Sequence, residues 1–291
     1  MTGATGTNLG EIAGRVRGLS ALVRAIYRVQ IVLKRRIPLI YALVTFLFPL
    51  AIIGGVWAFL ASLELYPDYL FPSPSKVFAK GVEMSLSGEI FRHIAASMFR
   101  LSVGFVAGLV LALPLGILIG VNRTASALFM PPVTFFQAIP GLAWVPLAIL
   151  WLGLGPAAVI FIIFNSVFFP ILFNTILGIR SIPENMPNAA LCLGASPWVL
   201  VRGVYLPGAL PSIVAGVRLG IGYGWRALIG GEMIATSTGL GFMIFDARQF
   251  LGTDVVILGM VVIGTLWLVL DSLILRPIEK RTVIRWGTVR G

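Results

Sequence analysis

The sequence predicts an all-α integral membrane protein with six transmembrane helices and both termini in the cytoplasm. Three observations predict it. Of 291 residues, 58% are hydrophobic and only 11% charged, whereas soluble domains carry about 25% charged residues. Long runs lack any ionisable side chain, the longest spanning the 56 residues from Thr124 to Ile179. The basic residues gather beside alternate ends of those runs. The same composition excludes a disordered chain, which would be poor in apolar residues and rich in charge.

A helix needs about 20 apolar residues to cross the hydrocarbon core, at about 1.5 Å per residue. Before the first run, Leu9, Ile12, Val16, Leu19, Val23 and Ile26 recur at steps of three and four, with Arg15, Arg17, Arg24 and Arg28 between them. Residues 1–36 therefore read as a basic amphipathic helix on the cytoplasmic leaflet. A solvated tail that orders on a partner is the alternative. These residues lack the apolar core and cleavage site of a signal peptide.

The first span is Ile37 to Leu63. Pro67, Pro72 and Pro74 mark an outer loop, and Ser73-Pro74 suits the start of a short helix. Leu86, Ile90, Ile94, Met98 and Leu101 follow at helical spacing, so the second span, Leu101 to Asn122, begins as an amphipathic helix outside the membrane. The third and fourth spans share the 56-residue run and divide at Trp151-Leu-Gly-Leu-Gly-Pro156. Pro131, Pro132, Pro140 and Pro146 punctuate the third. A kinked helix exposes backbone polar groups, tolerated only against protein or a water-filled cavity. This span is therefore expected to border a translocation path, with packing kinks alone as the competing view. The fifth span, Pro211 to Ala235, carries Arg218, Arg226 and Glu232; the sixth, Val255 to Leu275, contains Asp271. The membrane domain is thus residues 37–276, followed by a cytoplasmic tail, 277–291.

With the N-terminus inside, cytoplasmic segments hold 15 Lys and Arg. The outer segments hold five: Lys76, Lys80, Arg92, Arg100 and Arg248. The net charge of +11 is then mainly topology. No separate basic domain points to nucleic acid.

Catalytic chemistry is poorly supplied. The one His and one Cys fall on opposite sides of the membrane: His93 on the outer helix, read as a polar-surface residue, and Cys192 in a cytoplasmic loop, read as a small packing residue. A catalytic triad, a Cys–His pair and a His/Cys metal cluster are all excluded on that placement. No P-loop occurs, so ATP is not expected to bind this chain. On these residues an enzyme is not expected.

The segment from Arg180 to Pro211 is longer than a turn between helices requires. Glu184 to Leu193 forms a plausible helix ended by Gly194, and Ser196-Pro197 begins another. Within it, Asn188-Ala189-Ala190-x3-Gly194-x9-Val204-x-Leu206-Pro207 closely resembles the Glu-Ala-Ala loop signature of bacterial ABC importer permeases. Two positions depart from that signature: Asn188 stands for Glu and Val204 for Ile. An ordinary re-entry loop is the alternative. The resemblance extends from about Pro72 to Trp286. Pro140-Gly-Leu-Ala-Trp-Val-Pro-Leu-Ala-Ile-Leu-Trp151 and Leu210-Pro-Ser-Ile-Val-Ala-Gly-Val-Arg218 look like the branch importing nitrate, sulfonates, taurine or bicarbonate.

That resemblance implies a type I importer permease fold in the bacterial cytoplasmic (inner) membrane. It implies a loop, 180–210, whose helix over 184–197 docks on an ATPase through Glu184, Asn188, Ala189, Ala190, Gly194, Ala195, Leu206 and Pro207. It further implies a second permease chain, most simply as a homodimer, two ATPase subunits that bind ATP and Mg, and an extracytoplasmic solute-binding protein. No cofactor is then held by this chain itself. Ala189 and Ala190 make a face small enough for a groove, and Gly194 is expected to permit a turn that a side chain would block.

Inside the membrane, Gly216, Gly220 and Gly224 recur at steps of four, which lets helices approach closely. An Arg or Glu there is opposed by roughly 2.5–3.5 kcal/mol and must face protein or water. Arg226 and Glu232 are six residues apart, about 600° around a helix, so they do not share a face. Each of Arg218, Arg226 and Glu232 is either an intraprotein partner or a pathway residue, one Arg lending positive potential to a small anion. Gln137, Pro140, Trp144, Asn165 and Asn174 are further pathway candidates, with interhelical hydrogen bonding as the alternative. A reading from another class is an ATP-independent secondary transporter or channel using Arg226 and Glu232 as a relay.

Overall fold

The computed structural model describes the backbone of residues 38–279 and the side chains of most residues from Phe48 onward. The amphipathic reading of residues 1–36 and most of the 277–291 tail lie outside the described residues. The chain divides into two units, residues 1–68 and 69–291. In the first, α1 (Pro38–Ser62) is a 25-residue helix with Pro49 inside it. Its Phe48, Ile52, Ile53, Val56 and Phe59 are exposed within that unit.

In the second unit, α2 (Pro74–Leu86) starts as expected, with Ser73 extended at the N-cap and Pro74 in the first turn. Gly88, at φ +77°, breaks the chain before α3 (Glu89–Val121). Asn122 accepts from the N–H groups of Thr124 (2.8 Å) and Ala125 (3.0 Å) and so caps α4 (Arg123–Gln137). A 3₁₀ turn, Gly141–Trp144, and α5 (Val145–Leu152) follow α4 at an angle of 87°. The third span is thus a bent pair, broken at Ala138–Pro140, rather than one kinked helix. Gly153 (φ +75°) and Gly155 (φ +147°) make the expected division before α6 (Pro156–Arg180).

Next come α7 (Asn185–Cys192) and α8 (Pro197–Ala235), a 39-residue helix containing a π turn at Val201–Tyr205. The fifth span therefore begins well before Pro211. A proline at position 207 or 211 does not end the helix; one lost backbone bond leaves the rest of the ladder intact. After α9 (Leu240–Gln249), α10 (Thr253–Ile278) carries a second π turn at Asp271–Leu275. Among the described residues four helices (α3, α6, α8 and α10) are long and apolar enough to cross a membrane, and α4–α5 makes up to five. No strand occurs among the described residues.

Helix α6 is packed between α3 and α8. Its Val159, Ile162, Ile163, Val167, Ile171, Leu172 and Thr175 are fully buried. Small residues on both neighbours receive them. On α3, a Cβ added at Gly104, Gly108, Gly116 or Gly120 would lie 2.7, 2.9, 2.8 or 3.0 Å from Ile163, Val167, Thr175 or Ile179. On α8, a Cβ at Gly216, Gly220 or Gly224 would lie 2.6, 3.2 or 2.8 Å from Asn174, Ile171 or Val167. The close approach predicted for the α8 glycines is present, and α3 has a second ladder. In hydrocarbon, where apolar surfaces gain little by leaving lipid, this van der Waals fit is what joins helices.

The ladders also fix direction. Partners rise together along α3 and α6, so these helices run parallel; along α8 they fall, so α8 is antiparallel to both. The chain between Asn122 and Pro156 must therefore return from one end of the bundle to the other. The bent pair α4–α5 makes that crossing.

Candidate functional site

The turn after α7 has a defined hydrogen-bond pattern. Gly194 N–H donates to Leu191 O (2.9 Å) and Ala195 N–H to Ala190 O (3.0 Å), with Gly194 at φ +83°. This is a Schellman ending, which closes the last carbonyls of a helix around a left-handed residue. No atom lies within 4 Å of a Cβ placed on Gly194. Glycine is therefore set by backbone conformation, as expected of a turn that a side chain would block, and not by a crowding neighbour. Ser196 then caps α8, accepting from Val199 N–H at 3.4 Å.

Around this turn Met186, Leu191, Leu193, Trp198 and Val199 are exposed, Leu193 at 89%. Asn188 and Ala189 are exposed too, and Ala190 is half-buried. Leu206 and Pro207 lie within α8 just after its π turn. Glu184 precedes α7 without capping it and lines a cavity of about 500 Å³ with Arg123, Ser126, Arg180 and Tyr205. Cys192 is exposed, which corrects its reading as a packing residue.

The costly residues of α8 separate into three surroundings. Arg218 donates to Asp271 Oδ1 at 3.0 Å, and Asp271 Oδ2 accepts from Arg276 Nε at 2.8 Å. Glu232 is fully buried and accepts from Arg100 Nη1 at 2.6 Å. Arg226 is exposed, its guanidinium 5.9 Å from the centre of the Tyr223 ring. No carboxylate among the described residues forms an ion pair with it.

Arg226 instead lines a cavity of about 420 Å³ together with Gln137, Pro140, Asn165, Ser166 and Tyr223. Four predicted pathway residues, Gln137, Pro140, Asn165 and Arg226, thus meet at one place. The α4–α5 break forms one wall, as expected of a bent helix whose backbone polar groups need polar surroundings. Trp144 lies outside that lining, its ring edge-on to Phe161, and its buried indole N–H has no acceptor among the described residues. Asn174 donates to Pro170 O at 2.8 Å and packs against Gly216. Glu232 is sealed away from this cavity, so a relay through Arg226 and Glu232 lacks a common surface.

Two residues were misplaced by sequence reading. Arg100, counted as an outer-loop charge, and His93, read as polar surface, are each 3% exposed. Both lie on the stripe Ile90, His93, Ser97, Arg100, Gly104, Gly108, which is buried at steps of three and four. That stripe was the available signal. Among the described residues no group of His, Cys, Asp and Glu could hold a metal ion.

The family model described as "Binding-protein-dependent transport system inner membrane component" matches residues 112–281. The chain belongs to that family. The permease is 34% identical over 263 residues to the taurine transport system permease protein TauC of Escherichia coli, covering 89% of this chain and 95% of that one. It is 33% identical over 236 residues to the putative aliphatic sulfonates transport permease protein SsuC of Bacillus subtilis, covering 81% and 85%. Inward-facing structures of the MetNI methionine ABC transporter align with a TM-score of 0.47 at 24% identity, over 66% of this chain and 95% of that one. The family match over residues 112–281 contains the α4–α5 break, the turn between α7 and α8 and the cavity lined by Arg226.

Proposed function

We propose that this permease is the membrane-spanning subunit of an ATP-driven importer for a small anionic solute, passed through the cavity beneath the α4–α5 break. One observation carries the proposal. Arg218 and Arg100 are neutralised by Asp271 and Glu232, while Arg226 turns its charge to a cavity that also offers Gln137, Asn165, Ser166 and Tyr223. An exposed cation among uncharged donors favours an anion that carries its own acceptors. The relatives' names, taurine, aliphatic sulfonates and, in Synechococcus elongatus, bicarbonate, are all consistent with such a solute.

The assembly follows from the family reading. Two copies of the chain pair, each with six spans, α1 and the bent α4–α5 included, and with both termini in the cytoplasm. Each docks one ATPase subunit on the exposed turn between α7 and α8, where Met186, Leu191, Leu193 and Trp198 supply an apolar face and Glu184 and Asn188 its polar edge. ATP and Mg are bound by those partners. A binding protein delivers solute at the opposite end, in a bacterial inner membrane.

Uptake of radiolabelled taurine or bicarbonate into proteoliposomes carrying the complete transporter tests this. Arg226→Ala should lower uptake about tenfold or more, equivalent to about 1.4 kcal/mol, with Arg226→Lys retaining part and dimer recovery unchanged. Uptake that persists without any ATPase subunit would refute the ATP-driven reading. Equal loss of the dimer in Arg226→Ala would reassign Arg226 to packing.

A further inference from the structure

The turn between α8 and α9 holds a charged cluster that the transport reading leaves unused. A helix begins with N–H groups that lack intrahelical acceptors and carry partial positive charge. At the start of α9 three consecutive ones are met by side chains from elsewhere. Gly239 N–H donates to His93 Nδ1 (3.0 Å), Leu240 N–H to Ser97 Oγ (2.9 Å) and Gly241 N–H to Glu232 Oε2 (3.0 Å). Ser97 in turn donates its hydroxyl proton to Glu232, 2.8 Å from Oε2 and 2.9 Å from Oε1. Arg100 donates from Nη1 to Glu232 Oε1 (2.6 Å) and to Thr238 O (2.8 Å), and from Nη2 to Thr238 Oγ1 (2.6 Å).

The carboxylate thus occupies the place that a phosphate or sulfate takes at a helix N-terminus, with an arginine completing the shell. The backbone is shaped around it. A Cβ on Gly239 would collide with the Glu232 carboxyl, and one on Gly241 with the Ile229 carbonyl. Gly239, at φ +116°, also takes a conformation that side chains rarely adopt. His93 stacks on Phe242 of α9 and, with Arg92, Lys80 and Asp246, lines a cavity of about 420 Å³. The position of α9 therefore sets one wall of that cavity.

We propose that Glu232 is a positioning residue: a built-in anion that fastens the first turn of α9 to α3 through Arg100 and Ser97. Removing it leaves a buried arginine and a ring of donors unmatched, which is a vacated anion site. Any small carboxylate that fits should refill it. This goes beyond the transport proposal and does not depend on which solute is carried.

The test is hydrogen exchange on the full-length chain in lipid nanodiscs, read on the peptide containing residues 238–242. Glu232→Ala should accelerate exchange there by about tenfold or more, with α6 unchanged. Sodium formate at about 100 mM should restore most of the protection, and sodium chloride at the same concentration should restore less. Arg100→Met should accelerate the same peptide without responding to formate. If Glu232→Ala cannot be purified, Glu232→Gln keeps the size and should still show a localised acceleration of at least about threefold. Acceleration spread evenly over all helices, no change at 238–242, or an absent formate response in Glu232→Ala would overturn the proposal.

Discussion

Replacing Gly194 tests how the docking turn is built, because conformation and bulk predict different series. At φ +83°, an L-residue experiences a clash between Cβ and its own carbonyl worth roughly 1–2 kcal/mol. With no neighbour within 4 Å of the added Cβ, a longer side chain starts from an open position within this chain. At about 1.4 kcal/mol per tenfold, the closed turn becomes roughly 5- to 30-fold less populated in Gly194→Ala. Its two hydrogen bonds, from Gly194 and Ala195, open with it. Gly194→Leu should behave like Gly194→Ala, and Gly194→Asn should be milder, since Asn tolerates the left-handed region. The assay is solute-stimulated ATPase activity of the complete transporter in nanodiscs, with membrane insertion checked by yield and gel filtration. All three variants should insert normally while Ala and Leu lose most of the stimulation. Normal stimulation in Gly194→Ala, or a Leu variant more than about tenfold worse than Ala, would refute a purely conformational requirement.

Other consequences are equally direct. Gly116→Val forces atoms against Thr175 and the Leu172 carbonyl and should cost about 1–3 kcal/mol, read as a lower thermal midpoint in detergent. Gly54→Val, which meets nothing within 4 Å inside its own unit, should cost much less. Arg218→Met leaves Asp271 with Arg276, so it should destabilise less than Asp271→Leu, which leaves both arginines without that carboxylate, read as thermal midpoints in detergent. Cys192, the one thiol in the sequence and exposed beside the docking turn, should react readily with maleimide in the isolated permease and become protected when the ATPase subunits bind. Equal labelling with and without them would place the docking face elsewhere.

Much of the fold was legible because lipid imposes one-dimensional rules. Runs without charge give spans, and glycines or prolines divide them, as at Gly153 and Gly155. The same rule hid Arg100. A search for uncharged stretches must stop at the first arginine, although the buried stripe of α3 continues through it to Ile90. The four-residue glycine spacing of α8 reads as a packing ladder, and the same signal on α3 went unread although both ladders face the same helix α6. The meeting of Gln137, Asn165 and Arg226 could not be read either: it depends on an 87° bend that prolines permit but do not dictate. Their polarity in an apolar setting was still enough to select them individually.

The π turn at Asp271–Leu275 has a consequence for how this helix tolerates change. On a regular α-helix, residues five apart point about 140° away from each other, yet Asp271 and Arg276 are bonded at 2.8 Å. The wider turn acts as a phase shifter, holding one extra residue so that both arginines converge on one carboxylate. Deleting a single residue there would leave a perfectly good helix of nearly the same length. Asp271 and Arg276 would then be four apart, about 40° around a regular helix, so the ion pair and the downstream face would both be kept. A one-residue deletion in this turn should therefore be tolerated, whereas the same deletion in the regular stretch before it would rotate everything downstream by about 100°.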